Sequence, residues 1–530
     1  MTEMMVGFRP LFAVTVRQDA RNIAPWIVLI TALSASSILA YSWVFPDPAS
    51  RAALSVAVGA NPAFSLLFGQ ARDLSTAEGF NAWRTLALGG FFAALMAIFT
   101  VVRNSRADED SGQAELVASG VVGRHARLAV AVAVASLACL VLGVVSAAVT
   151  VLFGGSIADS AALSATYTAS GLVFAGVAAV TAQLGSYART ATAMAVSVLG
   201  VGYLARAYSD TIDPDGPAIW FSPLGWTAQV RPAAGNNWWP LLGCLGLTVV
   251  LLAVANVLLA RRDFGMGLVP PSPGPDRGGA VASVWGLALR LHRGSMIGWT
   301  LVFVLLGVVF GYLSTTLGGV FARNADFAAV LGARGGSAAD LTFAFLLTLL
   351  TVLGIIAAVY GVQIGMRFYA EELEYRAEPL LAAALARPKL FASHAVIALL
   401  GPAAALLLGG AVIGVTSAAA GGSAGAADLV VQALAEIPAV WVLIGLSLAL
   451  IGAHPVARPA AWLGVVAAFV LTILGPMFRL WDWILGISPF WHVPNITTTN
   501  PDYLGLLWLS LLAAALITTG FAGYRRRDVI

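Results

Sequence analysis

Long apolar stretches separated by short polar connections run through the whole chain. Twelve of them are close to the roughly 20 residues that a helix needs to cross a bilayer. In the first half they cover residues 23–44, 86–102, 128–153, 163–184, 191–208 and 238–259. In the second half they cover residues 297–317, 341–364, 392–417, 429–451, 460–478 and 503–522. The pattern predicts an all-α polytopic membrane protein with twelve transmembrane helices.

The first 22 residues differ from the stretches that follow, because charged side chains interrupt them. A cleavable signal peptide has an uninterrupted apolar core of about 7–15 residues, so this segment is not predicted to be one. Its apolar residues follow helical spacing at Phe8, Leu11, Phe12 and Val16. We therefore predict that residues 2–21 form an amphipathic helix on the membrane surface that leads into the first span.

Composition agrees with a lipid environment. Hydrophobic residues make up 59% of the chain and charged residues 10%, against about 25% charged in soluble domains. Cys139 and Cys244 lie in apolar stretches and are predicted to be core residues rather than a disulfide. The five His lack ligand spacing, which predicts no metal site. The Arg residues are dispersed in short loops, so no nucleic-acid partner is expected.

The basic residues predict the orientation of the chain. With twelve spans both termini lie on the same side. If that side is cytoplasmic, 21 of the 29 Lys and Arg fall inside, as the positive-inside rule requires. We therefore predict a multi-pass protein of a bacterial plasma membrane with cytoplasmic N- and C-termini.

Two charged segments stand out, at residues 103–127 and 367–389, and we call them the first and second charged segments. A shift of 263 positions superposes them. The matched pairs are Glu109 with Glu372, Ala114 with Ala377, Glu115 with Glu378, and Arg124 with Arg387.

Other parts of the two halves also repeat. Residues 17–26 resemble residues 290–299, Ser222-Pro223 resembles Ser488-Pro489, and Arg262-Asp263 resembles Arg527-Asp528. We therefore predict two six-span units, at 1–263 and 283–530, joined by a Gly- and Pro-rich cytoplasmic linker at 264–282. Because each unit begins and ends on the same side, the copies run parallel about an axis along the membrane normal.

The second charged segment has carboxylates and leucines at helical spacing. This pattern predicts a short amphipathic helix that displays charge, although a solvated connecting loop is the alternative. Its length and its repetition favour the helix, since short connections are usual between packed helices.

The pattern E-E-x-x-x-R-A-E-x-L-L of Glu371–Leu381, with Arg387 nine residues after the last Glu, resembles the coupling-helix loop of type 2 ABC exporter permeases. Two fused six-span units resemble the actinobacterial permeases known as exporters of polyketide antibiotics, a branch with tetronasin-type and multidrug exporters. The resemblance implies two units of the type V exporter fold and a substrate that is a polyketide antibiotic, another hydrophobic drug or a lipid.

The resemblance also implies that each charged segment docks on a separate ABC ATPase subunit, two copies per chain, which carries the ATP and Mg. The positions that would take this role are Glu109, Asp110, Gln113, Glu115, Arg124, Glu371, Glu372, Arg376, Glu378 and Arg387. Gln113 stands where the second segment has Arg376, so weaker docking is expected at the first segment.

The chain itself has no nucleotide-binding motif. A P-loop needs the pattern G-x-x-x-x-G-K-[ST], and the only Lys, Lys389, follows Pro388 and precedes Leu390. We therefore expect no cofactor in this chain and no enzymatic activity of its own.

Aromatic residues cluster before the sixth and twelfth spans. They are Trp220, Phe221, Pro223 and Trp226 in the first half, and Pro489, Phe490 and Trp491 in the second. One interpretation is an aromatic belt at the membrane interface. The other, implied by the resemblance, is a pair of re-entrant hairpins that form the outer gate.

Ionisable residues inside the spans are rare. Glu436 is the main example, and such residues often have functional roles. Their scarcity argues against an ion-coupled secondary transporter of 6+6 architecture, which remains the alternative to an ATP-driven exporter. A substrate cavity between the halves is predicted to involve Phe91, Phe92, Phe99, Phe343, Phe345 and Glu436. Aromatic residues that pack against other helices or face lipid are the alternative for these phenylalanines.

Overall fold

A computed structural model describes residues 5–59, 65, 67–118, 120, 122–123, 125–213, 215–270, 283–323, 338–383, 385–419, 425–474, 481–496 and 501–528. The chain forms two compact units, Met1–Gly274 and Pro275–Ile530. All described elements are helical, apart from one isolated β-bridge between Gly185 and Val269.

Unit 1 contains six long helices. They are α1 (Phe8–Val44), α2 (Ala77–Val102), α3 (Ala126–Leu152), α4 (Ile157–Leu184), α5 (Ala188–Ile212) and α6 (Trp239–Arg261). Shorter pieces are Pro48–Gly59, the π-helical turn Arg103–Ala107, Asp108–Asp110, Gln113–Ala118, the 3₁₀ turn Pro217–Phe221 and Pro223–Ala228.

Unit 2 has a corresponding series. Its main helices are α7 (Val284–Arg323), α8 (Ala338–Leu373), α9 (Arg387–Ala419), α10 (Ala426–Ala453), α11 (Pro459–Phe469) and α12 (Leu504–Arg526). The shorter pieces are Glu378–Ala382, Pro455–Ala457, the π-helical turn Val470–Leu474, Asp482–Leu485 and Pro489–His492.

Eleven helices of the described part are long and apolar enough to cross a membrane. These helices confirm the prediction of an all-α polytopic membrane protein. The exception is α11, which belongs to a shorter apolar helix, Pro459–Ile473. The span predicted there reaches residue 478, and residues 475–480 lie outside the described part of the chain.

The fourth long helix is the centre of each unit. In both α4 and α10, 72% of the most apolar stretch is buried, against 17% in α6 and α12. Close packing in lipid depends on small residues, because lipid provides no hydrophobic force between helices. Gly452 of α10 illustrates this, since a Cβ there would collide with the backbone of Gly520 in α12.

The N-terminal segment departs from the prediction. From Phe8 onward it is continuous with the first span, so no break separates a surface helix from α1. Its apolar face, which includes Phe12 and Val16, packs on the core of unit 1. Asp19 is buried and pairs with Arg103 at 2.8 Å, which further fixes this end of the helix.

The two ends of unit 1 have different character. The first charged segment lies at one end, which we call the charged-segment side, and the aromatic residues enter from the opposite, aromatic side. On the aromatic side Asp215 joins two loops by pairing with Arg72 at 2.6 Å and Arg231 at 2.8 Å. The hydrogen bonds from Arg72 lower the pKa of Asp215 to about 2, because they favour the ionised carboxylate.

Candidate functional site

The two charged segments share one backbone conformation. In the first, Ser111 N–H donates to Ala107 O and Gly112 N–H donates to Glu109 O. In the second, the residues 263 positions later make the same bonds: Glu374 N–H to Ala370 O and Tyr375 N–H to Glu372 O. The sequence match at this spacing therefore extends to individual hydrogen bonds.

Each charged segment turns at a left-handed residue. Gly112 has φ +75° and the matched Tyr375 has φ +57°. Glycine adopts this region freely, whereas a bulky residue does so at a cost of roughly 1–3 kcal/mol. Tyr375 is also 60% exposed. Reasoning from the sequence missed this residue, although the exchange of Gly for Tyr at the same repeat position was a visible signal.

Glu109 lies at the centre of a buried ionic cluster. Arg262, just after α6, contacts both of its carboxylate oxygens, at 2.7 and 2.9 Å. Arg106 lies 2.7 Å from one oxygen and Arg127 lies 3.2 Å from the other. The Glu109 side chain is only 7% exposed. The cluster therefore ties the first charged segment to the ends of α3 and α6.

Glu372 repeats this arrangement in unit 2. Its carboxylate pairs with Arg527, just after α12, and its side chain is 3% exposed. Arg387 Nη1 also donates to the carbonyl of Arg527, at 2.9 Å. The sequence matches Glu109 with Glu372, and Arg262 with Arg527. In the structure these residues make the same contact in each unit.

The residues predicted to dock an ATPase consequently differ in how far their side chains are exposed. Glu109 and Glu372 are buried, so their side chains hold the segments in place and do not offer a docking surface. Glu371 is half-buried and pairs with Arg376 at 3.0 Å. Arg124 lies outside the described residues. The exposed positions are Asp110, Gln113, Glu115, Arg376, Glu378 and Arg387.

Asp110 also has a structural contact. Its Oδ2 accepts a hydrogen bond of 2.6 Å from the backbone N–H of Ala188, the first residue of α5. A carboxylate at a helix N-terminus satisfies a free N–H group and interacts favourably with the helix dipole. The first charged segment therefore contacts the start of α5 as well as the end of α6.

The chain that leaves α6 is bound to the same end of unit 1. Leu268 and Val269 N–H groups donate to the carbonyls of Gln183 and Leu184, at 3.0 and 2.9 Å. Arg106, fully buried, donates to Ala182 O at 2.7 Å. The first residues of the predicted linker, 264–269, are therefore anchored on the α4–α5 turn.

The first aromatic segment, residues 217–228, folds back between the helices. Ser222 Oγ donates to Gly202 O, at the middle of α5, at 2.6 Å. A Cβ at Gly90, the midpoint of α2, would lie 3.9 Å from Leu224. Leu224 is 2% exposed. These contacts have the geometry of a re-entrant segment, whose irregular backbone is covered by protein.

The second aromatic segment, residues 481–493, reaches a similar depth in unit 2. Phe490 is 5% exposed and packs beside Gly354, near the middle of α8. Ser488 and Thr472 hydroxyls lie 2.7 Å apart. The predicted aromatic residues divide accordingly: Pro223, Trp226, Pro489 and Phe490 are at least partly buried, whereas Trp220, Phe221 and Trp491 are exposed.

The residues predicted to line a substrate cavity are of two kinds. The phenylalanines of α2 pack against neighbours within unit 1: Phe91 lies against Tyr203, and Phe92 and Phe99 lie against Trp26. Phe343 and Phe345 of α8 are partly buried. Glu436 differs from all of these, since it is 1% exposed within α10 and its Oε1 lies 2.8 Å from Thr351 Oγ1.

Comparison with known proteins shows similarity along nearly the whole chain. The family model described as "Multidrug efflux system permease Rv1217c, C-terminal domain" matches residues 13–259 and 281–525. These two stretches fall one in each compact unit. The chain is also 38% identical over 535 residues to the multidrug efflux system permease protein Rv1217c of Mycobacterium tuberculosis (strain ATCC 25618 / H37Rv). That match covers 99% of this chain and 95% of the relative.

Proposed function

Since the chain belongs to the Rv1217c-type family of multidrug efflux permeases, we propose that it is the membrane subunit of an ATP-driven ABC exporter. Two copies of a separate ABC ATPase bind ATP and Mg and dock on the two charged segments. Both termini and both segments face the cytoplasm of a bacterial cell, and hydrophobic compounds leave through the plasma membrane.

One observation carries the proposal. Each unit has the same exposed helical turn, and a buried carboxylate–arginine pair binds that turn to the rest of the unit. A docking element must transmit force, so its backbone has to be fixed to the spans that it moves. Glu109 with Arg262, and Glu372 with Arg527, provide that connection to the helix that ends each unit. Removing one partner of a buried pair usually costs about 3–5 kcal/mol, so the segments and the terminal helices are not easily separated.

Docking itself is assigned to the exposed residues. Glu115 of the first segment and Glu378 of the second present carboxylates at matched positions. Tyr375 adds an exposed ring at the turn of the second segment, and strained residues tend to cluster at functional sites. Tyr is also enriched at protein interfaces. The second segment therefore offers the ATPase an aromatic anchor that the first segment, with Gly112, lacks.

The proposed substrate class is a hydrophobic compound: a polyketide antibiotic, a drug or a lipid. The support is the apolar composition of the spans and the identity of the relative as a multidrug efflux permease. The contacts of the two aromatic segments with the middle of α2, α5 and α8 support a role for them as the outer gate, with Leu224 and Phe490 as the inserted residues.

The experiment expresses the chain together with a candidate ABC ATPase from the same cell and measures drug export. We expect the two proteins to co-purify and export to stop when the P-loop Lys of the ATPase is changed to Ala. Export that continues with the inactive ATPase would contradict the proposal.

An ion-coupled secondary transporter remains the second candidate because of one residue, Glu436, whose carboxyl is buried inside a span. That function predicts export that collapses when a protonophore is added and that does not respond to the ATPase variant. The same export assay, run with both treatments, separates the two candidates.

A further inference from the structure

A polar contact between the second and fourth long helices occurs in both units, with different chemistry. Tyr167 of α4 and Glu436 of α10 each lie ten residues after the start of a 28-residue helix. Tyr167 contacts Thr85 of α2, with 2.7 Å between the hydroxyl oxygens. Glu436 contacts Thr351 of α8, at 2.8 Å. Unit 2 therefore has an acid where unit 1 has a phenol.

The fold does not require that acid. In unit 1 the Thr85 hydroxyl donates to Asn81 O at 2.8 Å, so Tyr167 O–H is the donor toward Thr85. A neutral donor is sufficient to connect the two helices. The connection between α8 and α10 therefore does not need a group that can ionise. Burying such a group inside a membrane span also costs free energy.

The contacts of Glu436 fit the neutral acid. Thr351 Oγ1 lies 3.0 Å from Leu347 O and 2.8 Å from Glu436 Oε1. A hydroxyl has one proton, so both contacts become full hydrogen bonds when the acid donates to Thr351, as Tyr167 does to Thr85. Glu436 Oε2 is buried without a hydrogen-bond partner, and among the described residues no Arg, Lys or His forms an ion pair with this carboxyl.

The unpartnered oxygen points toward the inserted aromatic residue. A Cβ at Gly354 would lie 2.8 Å from Phe490 Cε1 and 2.9 Å from Glu436 Oε2, so the ring and the oxygen share the space that this glycine leaves free. Phe490 belongs to the re-entrant segment, which is irregular backbone rather than a packed span. Movement of that segment would expose a carboxyl beside an aromatic ring.

We propose that Glu436 is the binding carboxyl for lipophilic cations, such as hydrophobic amines and quaternary onium compounds, with Phe490 as its cover. The inference deepens the proposed export function and rests on it for the transport step. When Phe490 moves aside, the O–H bond of Glu436 breaks, the proton passes to water, and the carboxylate pairs with the cation. No electrons are transferred. A buried carboxylate suits such a cation, because it attracts positive charge while the apolar surroundings accept the lipophilic groups.

The test uses the purified full chain and the carboxyl reagent dicyclohexylcarbodiimide, which modifies protonated acids in apolar surroundings. We expect mass spectrometry to find the adduct on Glu436. Tetraphenylphosphonium at about ten times its Kd should slow the labelling about tenfold, by simple occupancy. Triphenylphosphine oxide, a neutral compound of similar shape, should not protect.

Two variants complete the design. Y167F removes the matched hydroxyl of unit 1 and should leave the labelling and its protection unchanged. E436Y copies the unit 1 residue and should fold, as judged by gel filtration, while it abolishes the adduct and the export of tetraphenylphosphonium. Absence of an adduct on Glu436, or equal protection by the neutral compound, would overturn the proposal. Labelling needs neither ATP nor transport, so this outcome is independent of whether an ATPase docks.

Discussion

At the scale of single residues, the buried carboxylates Glu109 and Glu372 are the most informative part of the structure. The resemblance of the charged segments to coupling-helix loops implied that both are docking residues. Their arginine partners lie about 155 residues away, at the far end of each unit. Hydropathy and local spacing cannot reveal such a pair, although the repeated Arg-Asp after each sixth span was visible in the sequence.

The two pairs differ in strength, and this gives a prediction. E109Q should destabilise the chain more than E372Q, because it leaves three arginines without their common carboxylate while E372Q leaves one. We expect a loss of about 3–5 kcal/mol for E109Q, the usual cost of breaking a buried pair. Thermal unfolding of the purified proteins measures this. Equal shifts in Tm for the two variants would contradict the assignment.

Tyr375 provides a second prediction at this scale. Y375G should raise the stability of the chain by about 1 kcal/mol, because glycine adopts the left-handed turn without strain. It should also weaken ATPase docking, because the exposed ring is lost. The measurements are Tm for the chain and Kd for the ATPase. G112A is the matched control, since a Cβ there introduces strain and removes no side chain. A Y375G variant with unchanged ATPase affinity would exclude the aromatic anchor.

At the scale of elements, periodicity and length predicted nearly all of the helices. The boundaries differ where tertiary contacts extend a helix beyond its apolar part. A surface helix over residues 2–21 followed by a span from residue 23 was predicted, whereas α1 runs unbroken from Phe8 because its first turns pack on unit 1 and bury Asp19. The aromatic segments could not be decided from the sequence, since an interfacial belt and a re-entrant segment need the same residues. The position of Leu224, 3.9 Å from where a Cβ of Gly90 would lie, supports the re-entrant interpretation.

The charged segments give a prediction for an element as a whole. E378R and E115R reverse exposed carboxylates at matched positions and should both reduce ATPase binding. E378R should have the larger effect, because it acts beside Arg376 and Tyr375, whereas the first segment has Gln113 and Gly112 there. Co-purification of the ATPase measures the loss, and membrane insertion of both variants should be normal. A larger loss for E115R would reverse the proposed order of the two docking sites.

At the scale of the whole molecule, the repeat could be predicted from the sequence because short polar stretches of the first half match those of the second half. The identity of the substrate could not be predicted from the sequence, because apolar side chains of similar size line cavities and also fill packed interfaces. Glu436 is an example of a residue whose role could be predicted only in part from the sequence. Its position in a span was evident, yet its equivalence to Tyr167 required the contacts with Thr351 and Thr85.

The anchoring of Leu268 and Val269 on the α4–α5 turn has a further consequence for how the protein can be produced. Among the described residues, Leu268 and Val269 make the last contacts of the connecting chain with unit 1, so we expect the peptide bonds beyond them to be dispensable for folding. A gene divided between codons 270 and 283 should yield two polypeptides that reassemble when they are synthesised together and that export drugs as the intact chain does. A division before Leu268 should instead impair the first polypeptide, and drug-resistance assays of the two divided genes would show the difference.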